Sequence, residues 1–212
     1  MITPIKQSDP IWKDCRLGNS MAKMGRYGCY VSCLCMAIEK LTGVFYDPRN
    51  AVVKWKFNAK GEIITDKTIF DGMTGIKKFV GYNYSTIAEY ANDINKIAIL
   101  SLNSGSHYIY VLSAENNVLT VIDPVDGFTY VGLPKKYRVT GYRLAEANQS
   151  IPEYAKEKWA KAKKIGILPT DPVEEISMER FQEDMVKLGK LKNVMKMPAY
   201  RAAVLYDNLG LL

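Results

Sequence analysis

Residues 29–42, Cys-Tyr-Val-Ser-Cys-Leu-Cys-Met-Ala-Ile-Glu-Lys-Leu-Thr, constrain the fold more than any other part of the chain. The first ten of them carry no charge, and apart from the thiols and the phenol the only polar side chain there is Ser32. A helix that is apolar nearly all round is one buried on most faces, so the rest of the chain has to wrap around it. Lys40 falls in the expected last turn, and Gly43 stands where a left-handed C′ residue would close the helix. Its N-terminal mouth is Gly28-Cys29.

The elements that could cover this helix follow from the pattern on either side. Residues 1–27 read as irregular, punctuated by Pro4, Pro10, Gly18 and Gly25. Asp47-Pro48 predicts an N-cap and first turn for a second helix reaching about Phe57. Residues 58–61 form a turn, 62–82 alternate weakly between strand and loop, and Ser85 is expected to cap a helix running to about Asn95. Beyond it the period changes to two, with strands predicted at 97–102, 107–113, 118–122, 128–131 and 137–144. A turn at 115–117 joins the second and third of these. Helices first and an antiparallel sheet afterwards is an α+β order.

A chain of 212 residues accommodates one domain over 1–146 and a small extension over 147–212. Residues 145–151 read as a linker. Beyond them, 152–165, 177–190 and 198–209 are expected to be helical, with Gly166, Pro169 and Pro172 separating the first two.

The formal net charge of +7 favours anionic partners, among them nucleic acid, a membrane surface or an anionic cell-wall polymer. The excess is spread along the chain, and the densest basic stretch, 156–164, is interrupted by Glu157. Nucleic acid is not expected, because neither a basic stripe nor a reading motif is present. No run approaches the ~20 apolar residues of a membrane span. The N-terminus lacks the apolar core of a secretory signal, which predicts a protein made in the cytoplasm. Action at a cell wall would then follow lysis or delivery by a particle.

Four cysteines, Cys15, Cys29, Cys33 and Cys35, show no Cys-x-x-Cys spacing, and one histidine is too few for most Cys/His zinc sites. No cofactor or metal is expected. A thiol is a nucleophile as its thiolate, a form favoured at a helix N-terminus and beside an imidazolium. Cys29 is the one predicted at such a position; Cys33 and Cys35 lie deeper in the same helix. The base has to be His107, the only histidine, at the mouth of a predicted strand. Val121-Ile122-Asp123-Pro124 puts a carboxylate at the end of the next strand. His107 and Asp123 stand eight residues either side of position 115, a register at which the two would face each other across the hairpin. Asp126 competes with Asp123 but belongs to the expected turn before Gly127. An oxyanion would need a donor, for which the Cys29 amide and the side chain of Gln7 are candidates.

These residues fall into a pattern. Gln7-Ser8-Asp9-Pro10-x-Trp12, Leu17-Gly18, Met24-Gly25-x-x-Gly28-Cys29 and Leu41-Thr42-Gly43 resemble the N-terminal signature of C39-like peptidases. His107 with its apolar run, and Ile122-Asp123-Pro124-x-x-Gly127, are similar to that family's His and Asp-Pro motifs. The resemblance covers about residues 5–143. It implies a papain-like fold and metal-free hydrolysis of a peptide or isopeptide bond. It also implies Cys29 as nucleophile, His107 as base, Asp123 as orienting acid and Gln7 as oxyanion donor. The sequence departs from the family at Tyr30 and at Cys33 and Cys35, where small or aliphatic residues are more usual.

The C-terminal part, from Ile151-Pro152-Glu153-Tyr154 through Trp159 and Ile165-Gly166 to Phe181, is similar to one S-layer-homology unit, as found on phage and bacterial cell-wall enzymes. A helical extension that packs Trp159, Ile165, Phe181 and Leu188 on the first domain is an equal alternative. Together these readings predict a phage-type or bacterial cysteine peptidase acting on the peptide part of peptidoglycan. The alternatives are processing of a polypeptide or virion protein, transglutaminase-like acyl transfer, and a silent structural component of a phage particle with virion partners.

Overall fold

The computed structural model describes residues 2–148 and the backbone of 175–176 and 197–198. The chain divides into two units, Met1–Ala147 and Asn148–Leu212. In the second, β7 (Glu175–Ile176) pairs antiparallel with β8 (Met197–Pro198). Pro198, expected to open a helix, closes a strand instead. The expected helices at 152–165 and 177–190, the remainder of 198–209 and the S-layer-like pattern lie outside the described residues.

The first unit is α+β, with N-terminal helices packed on an open six-stranded antiparallel sheet. Its elements are α1 (Met24–Tyr27), α2 (Cys29–Thr42), α3 (Pro48–Lys54), β1 (Lys77–Val80), α4 (Tyr84–Asn92), β2 (Lys96–Leu102), β3 (His107–Glu115), β4 (Val118–Asp123), β5 (Phe128–Val131) and β6 (Val139–Glu146). The sheet order is β1-β6-β2-β3-β4-β5.

The apolar helix behaves as its sequence demands. Every residue of α2 from Val31 to Leu41 except Lys40 is buried, and Gly43 ends it in the left-handed region at φ 74°. The one acid in this helix, Glu39, is buried and is satisfied at its carboxylate by the amide and hydroxyl of Thr3, 3.1 and 2.7 Å away. A charge in that position would otherwise be costly. Side chains alternate across each strand, so the sheet builds two cores. Ile97, Ile99, Tyr110 and Ile122 face α2, Trp12 and Trp55. Ala98, Leu100, Ile109 and Val121 face Ile87 and Ala91 of α4.

Several boundaries differ from expectation for local reasons. α3 is capped by Asp47, whose side chain accepts from the Arg49 amide, but it stops at Lys54 because Trp55 turns extended and buries its ring. The cap of α4 is Asn83 rather than Ser85: its Oδ1 accepts from the Thr86 amide and from the Ser85 hydroxyl. α4 ends at Asn92 rather than Asn95. β1 rises from the stretch of weak alternation; all four of its residues are exposed, so no burial pattern marked it. β6 runs from Val139 to Glu146, taking in Ala145 and Glu146 of the expected linker and leaving Tyr137 in the loop before it. A short helix, α1, stands in the segment read as irregular.

The β3–β4 hairpin corrects the expected register. Its turn is the two-residue pair Asn116-Asn117, both with positive φ (50° and 63°), the geometry that a tight right-twisted hairpin requires. Glu115 therefore faces Val118, and a bulge between Val111 and Ser113 shifts the pairing by one residue, so that Tyr110 faces Ile122. Asp123 then comes opposite Ile109, and His107 lies diagonal to it rather than directly across. Diagonal neighbours on one face remain within reach of long or aromatic side chains.

Candidate active site

Cys29 is the first residue of α2, in the turn whose amides lack intrahelical acceptors. Gly28 sets the junction with α1. A Cβ there would clash with Met24 Sδ and with the Met24 carbonyl oxygen. The glycine is needed because Met24 packs directly beneath the mouth of the helix.

His107 opens β3 opposite Leu102 of β2, and its ring is largely covered. Its Nε2 lies 2.8 Å from Asp123 Oδ1, which leaves Nδ1 as the nitrogen available to a thiol. Asp123, the last residue of β4, has its side chain 1% exposed. Its Oδ1 also accepts from the Val125 amide at 3.0 Å, and its Oδ2 from the Tyr137 hydroxyl at 2.5 Å. Burial alone would push this carboxyl up. The hydrogen bonds from His107, Tyr137 and the Val125 amide outweigh burial and hold it below the ordinary 3.8.

Burial likewise opposes a charge on the imidazole. The bond to Asp123 and the interaction with the Cys29 sulfur prevail, raising His107 from 6.5 to about 9. The imidazole and the carboxylate thus meet, with the Cys29 sulfur near enough to favour the charged ring, although Cys29 and Asp123 come from distant parts of the chain. Burial pushes the Cys33 and Cys35 thiols well above the ordinary thiol value. The half-buried Cys29 is the thiol of the three that reaches a cleft.

Gln7 ties the walls of the site together. Its backbone amide donates to Pro124 O at 2.7 Å, and its Nε2 donates to Gly25 O at 3.1 Å. It is buried, and Trp12 fixes the arm that carries it by donating from the indole N–H to Lys6 O at 2.9 Å. One amide hydrogen of Gln7 is therefore committed to Gly25, and the second remains. Asp126 belongs to the turn, accepting from the Phe128 amide and the Tyr130 hydroxyl.

Tyr137 is the site residue that sequence reasoning passed over. Placed at the start of a predicted strand, it instead follows a turn in which its amide donates to Pro134 O. That turn sets its ring 5.3 Å from the His107 ring and its hydroxyl on Asp123. No sequence spacing announces this contact.

Cys29 opens onto a cleft of about 530 Å3, which His107 does not line. Its walls include Tyr30, Tyr108, Arg143 and Lys78. Among the described residues no three His, Cys, Asp or Glu side chains converge as metal ligands, and no helix is long and apolar enough to cross a membrane. The sequence matches no known family model and no curated protein.

Proposed function

We propose that the chain is a papain-like, C39-like cysteine peptidase that cleaves peptide bonds with Cys29, His107 and Asp123, and that its substrate is the peptide part of peptidoglycan, as for a phage-type or bacterial wall enzyme. The observation that carries the reading is an imidazole fixed at Nε2 by a buried, thrice hydrogen-bonded carboxylate, with a cleft-lining thiol near enough to favour the charged form of the ring. A structural protein has no need to keep such a carboxylate dry and charged. The wall substrate rests on the basic charge and on the S-layer-like pattern of the C-terminal sequence.

In the proposed course the Cys29 thiolate attacks the carbonyl carbon, and the negative charge of the tetrahedral intermediate meets the Cys29 amide and the free N–H of Gln7. The C–N bond breaks as the imidazolium of His107 passes its proton to the leaving amine. A water molecule then attacks the thioester, gives a proton to His107 and releases the acid. Asp123 keeps Nδ1 of the ring facing the sulfur throughout.

Mass spectrometry after brief treatment with dilute iodoacetamide at mildly acidic pH tests the nucleophile. Cys29 is expected to be carbamidomethylated ahead of Cys15, Cys33 and Cys35, and uniform inertness would refute the assignment. Clearing of a cell-wall suspension, run beside cleavage of soluble peptides, separates a wall enzyme from a processing peptidase. Replacing Cys29 or His107 by Ala is expected to cut either rate by roughly 10² or more.

A further inference from the structure

The cleft beside Cys29 contains a charge arrangement that the triad does not use. Arg143 of β6 and Lys78 of β1 are register partners, two cations directly opposite each other on adjacent antiparallel strands. Both line the cleft, together with Arg26 and Lys60. Like charges in that relation destabilise a sheet. The guanidinium of Arg143 lies against a pair of rings that pack on each other, 5.2 Å from the Tyr30 ring and 4.7 Å from that of Tyr108, and its Nη2 donates to the Tyr108 hydroxyl at 2.9 Å. Its Nε is sealed from solvent without a hydrogen-bond partner. No carboxylate among the described residues forms an ion pair with Arg143 or Lys78. The one acid in the lining, Glu62, is engaged by the side-chain amide of Asn58 at 2.7 Å.

We infer that this cleft is a subsite for a carboxylate carried by the substrate on a residue next to the scissile bond, with Arg143 as the specificity-determining residue and Lys78 as its second cation. An anion placed there relieves the Arg143–Lys78 repulsion and gains a charge-assisted hydrogen bond. Tyr30 supplies one of the rings that hold the guanidinium in place. A cleft of about 530 Å3 is large enough for an acidic side chain and the backbone that carries it. The inference deepens the proposed peptidase reading and rests on it.

The test uses two alkylating reagents of nearly equal size, anionic iodoacetate and neutral iodoacetamide, on the full chain. Each forms the C–S bond at Cys29 as iodide leaves, so no substrate need be known. With rates normalised to free cysteine, the iodoacetate-to-iodoacetamide ratio at Cys29 is expected to be about tenfold above unity at low salt. It should collapse at 1 M salt and in Arg143→Met. Lys78→Gln should lower it partway, and Lys54→Gln, away from the cleft, should keep it. A wild-type ratio at or below unity, or one indifferent to both the Arg143 and Lys78 substitutions, would overturn the subsite and leave the nucleophile standing. Inertness of Cys29 to both reagents would instead sink the peptidase reading and the subsite with it. If Arg143→Met does not fold, Arg143→Lys and Lys78→Gln carry the comparison.

Discussion

His107 and Asp123 make the stability of the first unit depend on pH in a definite direction. The folded-state value of about 9 for His107 lies above its ordinary 6.5, so the folded protein retains a proton that the unfolded chain gives up. That contribution is complete below about pH 6.5 and is lost as the pH rises through 9. Asp123 works at the other end: its depressed value gives stability present above 3.8 and lost as the pH falls through the folded value. Urea midpoints should therefore decline between pH 6.5 and 9, and Asp123→Asn should flatten that decline. Tyr137 adds a separate expectation. Tyr137→Phe removes the hydroxyl donor to Asp123 Oδ2, which should cost about 1.5 kcal/mol or more in urea unfolding at neutral pH and shrink the acid limb, because the folded value moves up towards 3.8. At this scale the sequence was informative about which residue types meet. Cys29, His107 and Asp123 were singled out by helix position, by scarcity and by strand ends. Tyr137 and Arg143 were not, because a tyrosine in a loop and an arginine in an alternating strand look like any others until tertiary packing aims them.

Among the elements, α2 was the most legible because an unbroken apolar run leaves a helix no choice but the interior. The hairpin was legible as a hairpin but not in register. A bulge shifts pairing by one residue without any composition to announce it, and the diagonal His107–Asp123 contact depends on that bulge as much as on the Asn116-Asn117 turn. β1 was illegible since an exposed edge strand carries no burial period. The α1–α2 junction yields a prediction of its own. Gly28→Ala would drive a Cβ into Met24 Sδ and the Met24 carbonyl. Because one of those obstacles is backbone, α1 or the start of α2 must shift. The expected cost is about 1–3 kcal/mol in a urea titration, accompanied by a slowed reaction of Cys29 with iodoacetamide. A variant equal to wild type in both measurements would show that the junction yields more easily than its packing implies.

Taken whole, residues 1–147 carry their own two cores and a complete sheet, with the thiol, imidazole and carboxylate all inside that span. A chain ended after Ala147 is accordingly expected to fold and to keep the preference of iodoacetamide for Cys29 over Cys33 and Cys35. Loss of either would mean that the first unit depends on residues beyond it. The sheet order has a further consequence for how the molecule is made. β1 is complete at Val80, yet β6, its partner strand among the described residues, is not finished until Glu146. At roughly 5–20 residues per second of translation, the strand waits on the order of 3 to 13 s on the ribosome with its backbone unpaired. Lys77 and Lys78, both exposed, give that idle edge a positive charge that discourages a neighbouring nascent chain from docking on it.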